Sequence, residues 1–206
     1  MLPENKTANI YGAVGHIGSA ITRTFAREGA GLFLVGRPQS TVRKLAEDLG
    51  ADSASFDILE ATVERHVNGV MDKTQCIDVS INATSIRGDL QGTSLVETQL
   101  SGFITPSDTR VRENFLTIRT AARHMAKQGF GTILTLSAAS VGLCGRDRVY
   151  HKTGGFSVAC TAIEAMNHSF AGELGRHGVC VVCLRSDALP ETWPCDAEPQ
   201  WRHIEE

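Results

Sequence analysis

The sequence has no long apolar run. Nothing in it approaches the roughly 20 consecutive apolar residues of a membrane-spanning helix. The N-terminus, "MLPENKTANIYG", carries no apolar signal region. Positive charge is not in excess either: 20 Lys and Arg stand against 23 Asp and Glu, a net charge of −3 with no basic run. That argues against polybasic membrane attachment and nucleic-acid binding. Internal repeats and low-complexity linkers are absent. The 206 residues fit a single domain spanning 1–206, long enough to bury a full core. The expected location is cytoplasmic.

Metal-ligand spacing is missing too. Six cysteines are present, and without a secretory context they are expected as free thiols. Cys180 and Cys183 form a C-x-x-C within "VCVVCL". No second ligand pair accompanies them, and residues three apart on a strand point to opposite faces. The run is continuously apolar, so both are expected in the core of a buried parallel strand. No metal site is expected.

What is present is alternation. Short apolar runs at 8–12, 31–36, 53–56, 77–82, 132–137 and 179–184 read as strands. Helical patterns lie between them, near 17–29, 39–49, 60–72, 108–128 and 154–176. Ile17, Ile21 and Phe25 form one apolar stripe, and Phe115, Ile118, Ala122 and Met125 another. This pattern implies an α/β fold, a Rossmann-like doubly wound parallel sheet of six strands with right-handed crossovers. The expected strand order is 3-2-1-4-5-6. Two stretches, 85–97 and 142–155, are rich in glycine or charge and read as loops. Both follow strand C-terminal ends, where open α/β sheets place ligands.

"GAVGHIG" (12–18) joins the first strand to the first helix. Gly12, Gly15 and Gly18 suit a tight turn, a close backbone approach to a ligand, and a helix seated against the strand. The first helical amides then face a phosphate, with His16 and Ile17 beside it. His16 either contacts that phosphate or caps the turn facing water. The second strand ends in Gly36 and Arg37, where a free adenine ribose is usually held by a carboxylate. Glycine leaves space, and Arg can fork onto a 2′-phosphate. NADP(H) is therefore favoured over NAD(H), with no carboxylate expected to oppose Arg37.

These pieces, in line, resemble a short-chain dehydrogenase/reductase over residues 7–193. The family's phosphate loop, T-G-x-x-x-G-x-G, has the length of "YGAVGHIG" (11–18), with Tyr11 for the threonine and His16 for the middle glycine. In "FDIL" (56–59) the resemblance implies that Asp57 meets the adenine amino group and Ile58 its ring. "INATS" (81–85) resembles the family's N-N-A-G turn, matching at Asn82 and Ala83. "ELGRHGVCVVCLRSDALPET" (173–192) follows the penultimate helix and sixth strand.

The family's catalytic positions depart from the pattern. Its Y-S-A-S-K-A-A-V-E-A stretch matches "FSVACTAIEA" (156–165) without gaps, placing Phe156 at the proton-donating Tyr and Cys160 at the Lys. The reactive serine aligns with Ala138, and Arg110 stands where an Asn belongs. Losing a positioned proton donor typically costs 10²–10⁴ in rate. Substitutes are close by: Ser137 and Tyr150 lie thirteen residues apart, near the family's Ser–Tyr interval, and Lys152 follows. Cys160 itself reads as an inert core thiol.

The resemblance also implies a C-terminal substrate segment and a seventh strand, which the chain is expected to lack. The sixth strand would then be a sheet edge, with Trp193 and Trp201 available to fold over it. A homodimer is expected through the helices near 108–128 and 154–176, using Ala121, Ala122, Ala159 and Ala162. Three functions stay open. The first is an NADP(H)-binding oxidoreductase with an altered or impaired proton relay. The second is a non-catalytic dinucleotide-binding partner or sensor. The third is a lyase or isomerase using the same pocket, with an unknown small-molecule substrate.

Overall fold

Parallel strands covered on both faces need apolar residues at nearly every position. Thr7–Tyr11 (β1) is buried at all five residues, polar Thr7 and Asn9 included. The computed structural model describes residues 4–84, 94–138 and 154–186. Within them β1 is followed by His16–Arg27 (α1), Gly31–Val35 (β2), Gln39–Leu49 (α2), Asp52–Ala54 (β3) and Glu60–Thr74 (α3). Val79–Asn82 (β4), Leu100–Gln128 (α4), Gly131–Ala138 (β5), Gly155–Leu174 (α5) and Val179–Ser186 (β6) complete the order. The strands form one six-stranded sheet in the order β3-β2-β1-β4-β5-β6, as expected from the sequence. All pairings are parallel. Tyr11 at the end of β1 pairs with Val35 of β2 on one side and Asn82 of β4 on the other.

Alternate residues of β1 and β2 serve opposite faces. Ile10, Leu32 and Leu34 pack with Val42 and Leu45 of α2 and Ile21 and Phe25 of α1. Tyr11, Phe33 and Val35 pack with the Val63–Val67–Val70 stripe of α3 and with α4. Met166, Phe170 and Leu174 of α5 extend that second layer over β6.

Two expectations need correction. Helix α4 begins at Leu100, not near 108, and carries Pro106 inside it. Proline removes the hydrogen bond to residue 102 and normally ends a helix. Here close packing holds the segment before it: a Cβ on Gly155 would overlap the carbonyl oxygen of Phe103. The second correction concerns Cys180 and Cys183. They do point to opposite faces, but Cys180 is exposed and Cys183 half-buried. Among the described residues β6 pairs on one side alone, and Leu184, on the same face as Cys180, is exposed as well. Trp193 and Trp201 lie outside the described residues.

Candidate functional site

The turn after β1 is shaped by two glycines. Gly12 has φ +74°, and a Cβ there would stand 2.6 Å from the Ala83 backbone at the end of β4. A Cβ on Gly18 would overlap the Gly12 carbonyl oxygen. The turn is closed by Gly15 N–H donating to Gly12 O at 3.1 Å and Ala13 N–H donating to Val35 O at 3.1 Å. Helix α1 then starts from Gly15 with no side-chain cap and no acidic residue in its first turn. Its free amides and positive dipole end therefore stay open to an anion. Such a bare cradle fits a dinucleotide pyrophosphate. His16 is exposed and Ile17 half-buried beside it.

A cleft of about 280 Å³ runs from this turn toward the ends of β2, β3 and β4. Pockets for whole ligands usually hold about 300–1,000 Å³, so the cleft accounts for part of a dinucleotide. Gly12 and Gly15 form its phosphate end, and Gly36, Arg37, Phe56 and Ile58 its base side. At Gly36 a Cβ would press on Val14, 3.1 Å from Cγ2. Thr62 at the start of α3 shapes the segment that aims Ile58: its hydroxyl donates to Asp57 O at 2.6 Å and accepts from Leu59 N–H at 3.1 Å.

The expectation that no carboxylate opposes Arg37 is wrong. Asp57 Oδ1 accepts from Arg37 Nη1. Both side chains are about two-thirds exposed, at 68% and 66%. The pairing arises because β2 and β3 are neighbours and end side by side. Asp57 does not itself line the cleft.

The far wall comes from α4. Arg110, which the sequence resemblance aligns with the family's Asn, donates through Nη1 to Glu113 Oε2 one turn on. Both line the cleft, and their side chains are only 15% and 14% exposed. Ala83 also lines it, whereas Asn82 lies behind. Asn82 Nδ2 donates to Thr117 Oγ1 at 3.0 Å, and its Oδ1 accepts from Thr84 N–H at 3.1 Å and Thr84 Oγ1 at 2.6 Å. That clamp fixes the β4 exit against α4.

Around the remaining family positions the chemistry is quiet. Cys160 is fully buried, and Phe156 is half-buried in the first turn of α5. Ala138 ends β5. Ser137 is buried and donates to Glu164 Oε1 at 2.7 Å, while Arg185 Nε lies 3.6 Å from the same oxygen. Ser137 therefore faces α5. Tyr150 and Lys152 lie outside the described residues. Burial raises the Cys183 thiol pKa above its ordinary value, which keeps it protonated at neutral pH. No group of three metal-ligating side chains occurs among the described residues, and no described helix is long and apolar enough to cross a membrane.

A family profile described as enoyl-(acyl carrier protein) reductase matches residues 12–189. The chain belongs to the short-chain dehydrogenase/reductase family. Zerumbone synthase of Zingiber zerumbet is 30% identical over 192 residues, an alignment covering 91% of this chain and 70% of that one. A 3alpha-hydroxysteroid dehydrogenase of Mediterraneibacter gnavus is 29% identical over 207 residues, covering 93% and 80%. The crystal structure of levodione reductase matches with a TM-score of 0.80 at 21% identity, covering 92% of this chain and 74% of that one, a likeness of fold. This short-chain dehydrogenase/reductase thus belongs to a family of dinucleotide-binding oxidoreductases.

Sequence reading missed Val14, Val35, Phe56, Thr84 and Glu113 as cleft residues. Phe56 adjoins the "DI" pair and was open to inference. Glu113 lies three residues from Arg110, a spacing that brings helical side chains together.

Proposed function

We propose that the chain binds NADP(H) in preference to NAD(H) and works as an oxidoreductase whose proton relay is impaired. The observation that carries the second half is the fate of the relay positions. Cys160 is sealed from solvent, and Arg110 is engaged by Glu113. When bound, the cofactor supplies hydride. The chain's own residues supply the phosphate cradle at Gly12, Gly15 and Gly18 and the cation of Arg37. An exposed ion pair contributes only about 0–1 kcal/mol, so a 2′-phosphate dianion can draw Arg37 from Asp57.

The same buried Cys160 favours a second reading, a dinucleotide-binding sensor without turnover. Titration with NADPH and NADH, followed by a hydride-transfer assay on the bound complex, separates the two. Tighter NADPH binding with turnover reduced about 10²–10⁴-fold from an ordinary family member supports the first. Tight binding with no transfer supports the second.

We also propose a homodimer through α4 and α5. Its contacts differ from those first expected, because Ala121, Ala122 and Ala159 are buried inside the protomer. Exposed Leu100, Ile104 and Phe115 on α4 and Val158 on α5 are the large apolar groups left for a second copy. Sedimentation at micromolar concentration tests this, a monomer counting against it.

A further inference from the structure

We infer that Glu113, held in place by Arg110, reads the amino edge of the cofactor's adenine, the role that family resemblance would give to Asp57. The inference rests on the dinucleotide reading above and adds a recognition residue to it. Asp57 is badly placed for the task. Its carboxylate is exposed and absent from the cleft wall. Glu113 lines that wall with Phe56 and Ile58, which offer the apolar surfaces a purine ring stacks against.

The chemistry singles it out. An exocyclic amino group is a donor and needs an acceptor. The charged side chains of the cleft are Arg37, Arg110 and Glu113. Arginine only donates, leaving Glu113 as the one charged acceptor among the described lining residues. Arg110 engages its Oε2, and a carboxylate has a second oxygen to offer. Because the pair is largely removed from water, the carboxylate is held in one place and its hydrogen bonds are less screened than at the surface. Arg110 is then a positioning residue. Its arrival at the family's Asn position replaces a relay group with one that orients the base-reading acid.

Hypoxanthine separates this from general binding. It carries a carbonyl oxygen where adenine carries the amino group, with its only edge donor moved to N1–H, so a carboxylate fixed opposite the 6-position attracts the amino group and is repelled by the oxygen. The experiment is a titration of the full chain with NADPH and with its hypoxanthine counterpart. Wild type should prefer the adenine form by about tenfold or more, the scale of a hydrogen bond to a charged group. Glu113→Gln should bring the ratio close to one, because a carboxamide can turn its N–H toward the carbonyl. Asp57→Asn should keep the wild-type ratio. If Glu113→Gln unfolds by leaving Arg110 unpaired, the Arg110→Gln/Glu113→Gln double variant carries the test, with the same expected loss of preference. A wild-type ratio near one overturns the assignment, as does an unchanged ratio in either folded variant. Failure of wild type to bind either form, or 2′,5′-ADP, sinks the dinucleotide reading itself. Equal binding of both forms sinks Glu113 alone.

Discussion

The carbonyl oxygen of Gly12 occupies the space where a Cβ on residue 18 would stand. The phosphate turn and the first turn of α1 are thus built to touch. Gly18→Ala must push them apart, and overpacking of this kind typically costs about 1–3 kcal/mol. It should also weaken NADPH binding at least about tenfold, since roughly 1.4 kcal/mol is a factor of ten. Gly15→Ala is the control. Its Cβ would meet Gly12 O at 3.4 Å, an ordinary contact, at φ −68°. Urea unfolding should place that variant within about 0.5 kcal/mol of wild type.

Arg37 and Asp57 compete with any phosphate that enters between them. Arg37→Ala should cost about 1.5–3 kcal/mol of NADP(H) binding, the range for charged hydrogen bonds, and nothing for NAD(H). Asp57→Asn frees the guanidinium and should tighten NADP(H) up to about fivefold, the value of an exposed pair. Calorimetric titration of both cofactors checks this. Equal losses for the two in Arg37→Ala would mean that Arg37 does not read the phosphate.

These two sites differ in how far the sequence disclosed them. The glycine turn was legible because its demands are local: φ at Gly12 and clearance at Gly18 are met within seven consecutive residues. Strand order was legible because alternating strands and helices leave few topologies. The Arg37–Asp57 pair was not, because it forms across two strand ends twenty residues apart. The early start of α4 was hidden by Pro106, whose local signal is to end a helix and which is overridden by the contact of Phe103 with Gly155. Cys180 was misplaced because its apolar run was read as a strand covered on both faces, although the expected strand order already set β6 at the sheet edge.

His66 on α3 should give the fold a measurable pH dependence. Its Nε2 lies 2.8 Å from Asn9 Oδ1, and its ring is packed against Phe56 at 5.3 Å between centroids. Burial lowers its pKa to about 4, with Asp52 opposing weakly. The unfolded chain takes up that proton near pH 6.5, the folded chain only near 4. His66 therefore stabilises fully above about pH 6.5, and the stabilisation is lost as pH falls toward 4, by roughly 2–3 kcal/mol. His66→Gln keeps an amide for Asn9 and removes the titration. From pH 7 to 4.5, urea unfolding should show wild type losing about 2 kcal/mol more than this variant. Equal losses would place the pH dependence elsewhere.

The proposed loss of the relay can be tested by rebuilding it. If Phe156 and Cys160 occupy the family's Tyr and Lys positions, Phe156→Tyr with Cys160→Lys restores a proton donor and its tuning cation. Ala138→Ser adds a group to polarise a carbonyl oxygen. The triple variant should gain carbonyl reduction about a hundredfold or more over wild type with a permissive substrate, the lower scale of general acid catalysis. Single changes should do little, because residues acting as a unit are far from additive. Position 160 is fully buried, so an ammonium there without a ribose partner would cost several kcal/mol. Stability and activity should therefore both be measured with NADPH bound. A folded, cofactor-bound triple variant without activity would place a further block in the pocket, and Arg110, which aligns with the relay Asn, is the next to replace. Wild type already as active as an ordinary family member would overturn the impaired relay. The proton would then come from another donor, and Tyr150→Phe and Lys152→Met are the variants that should abolish it.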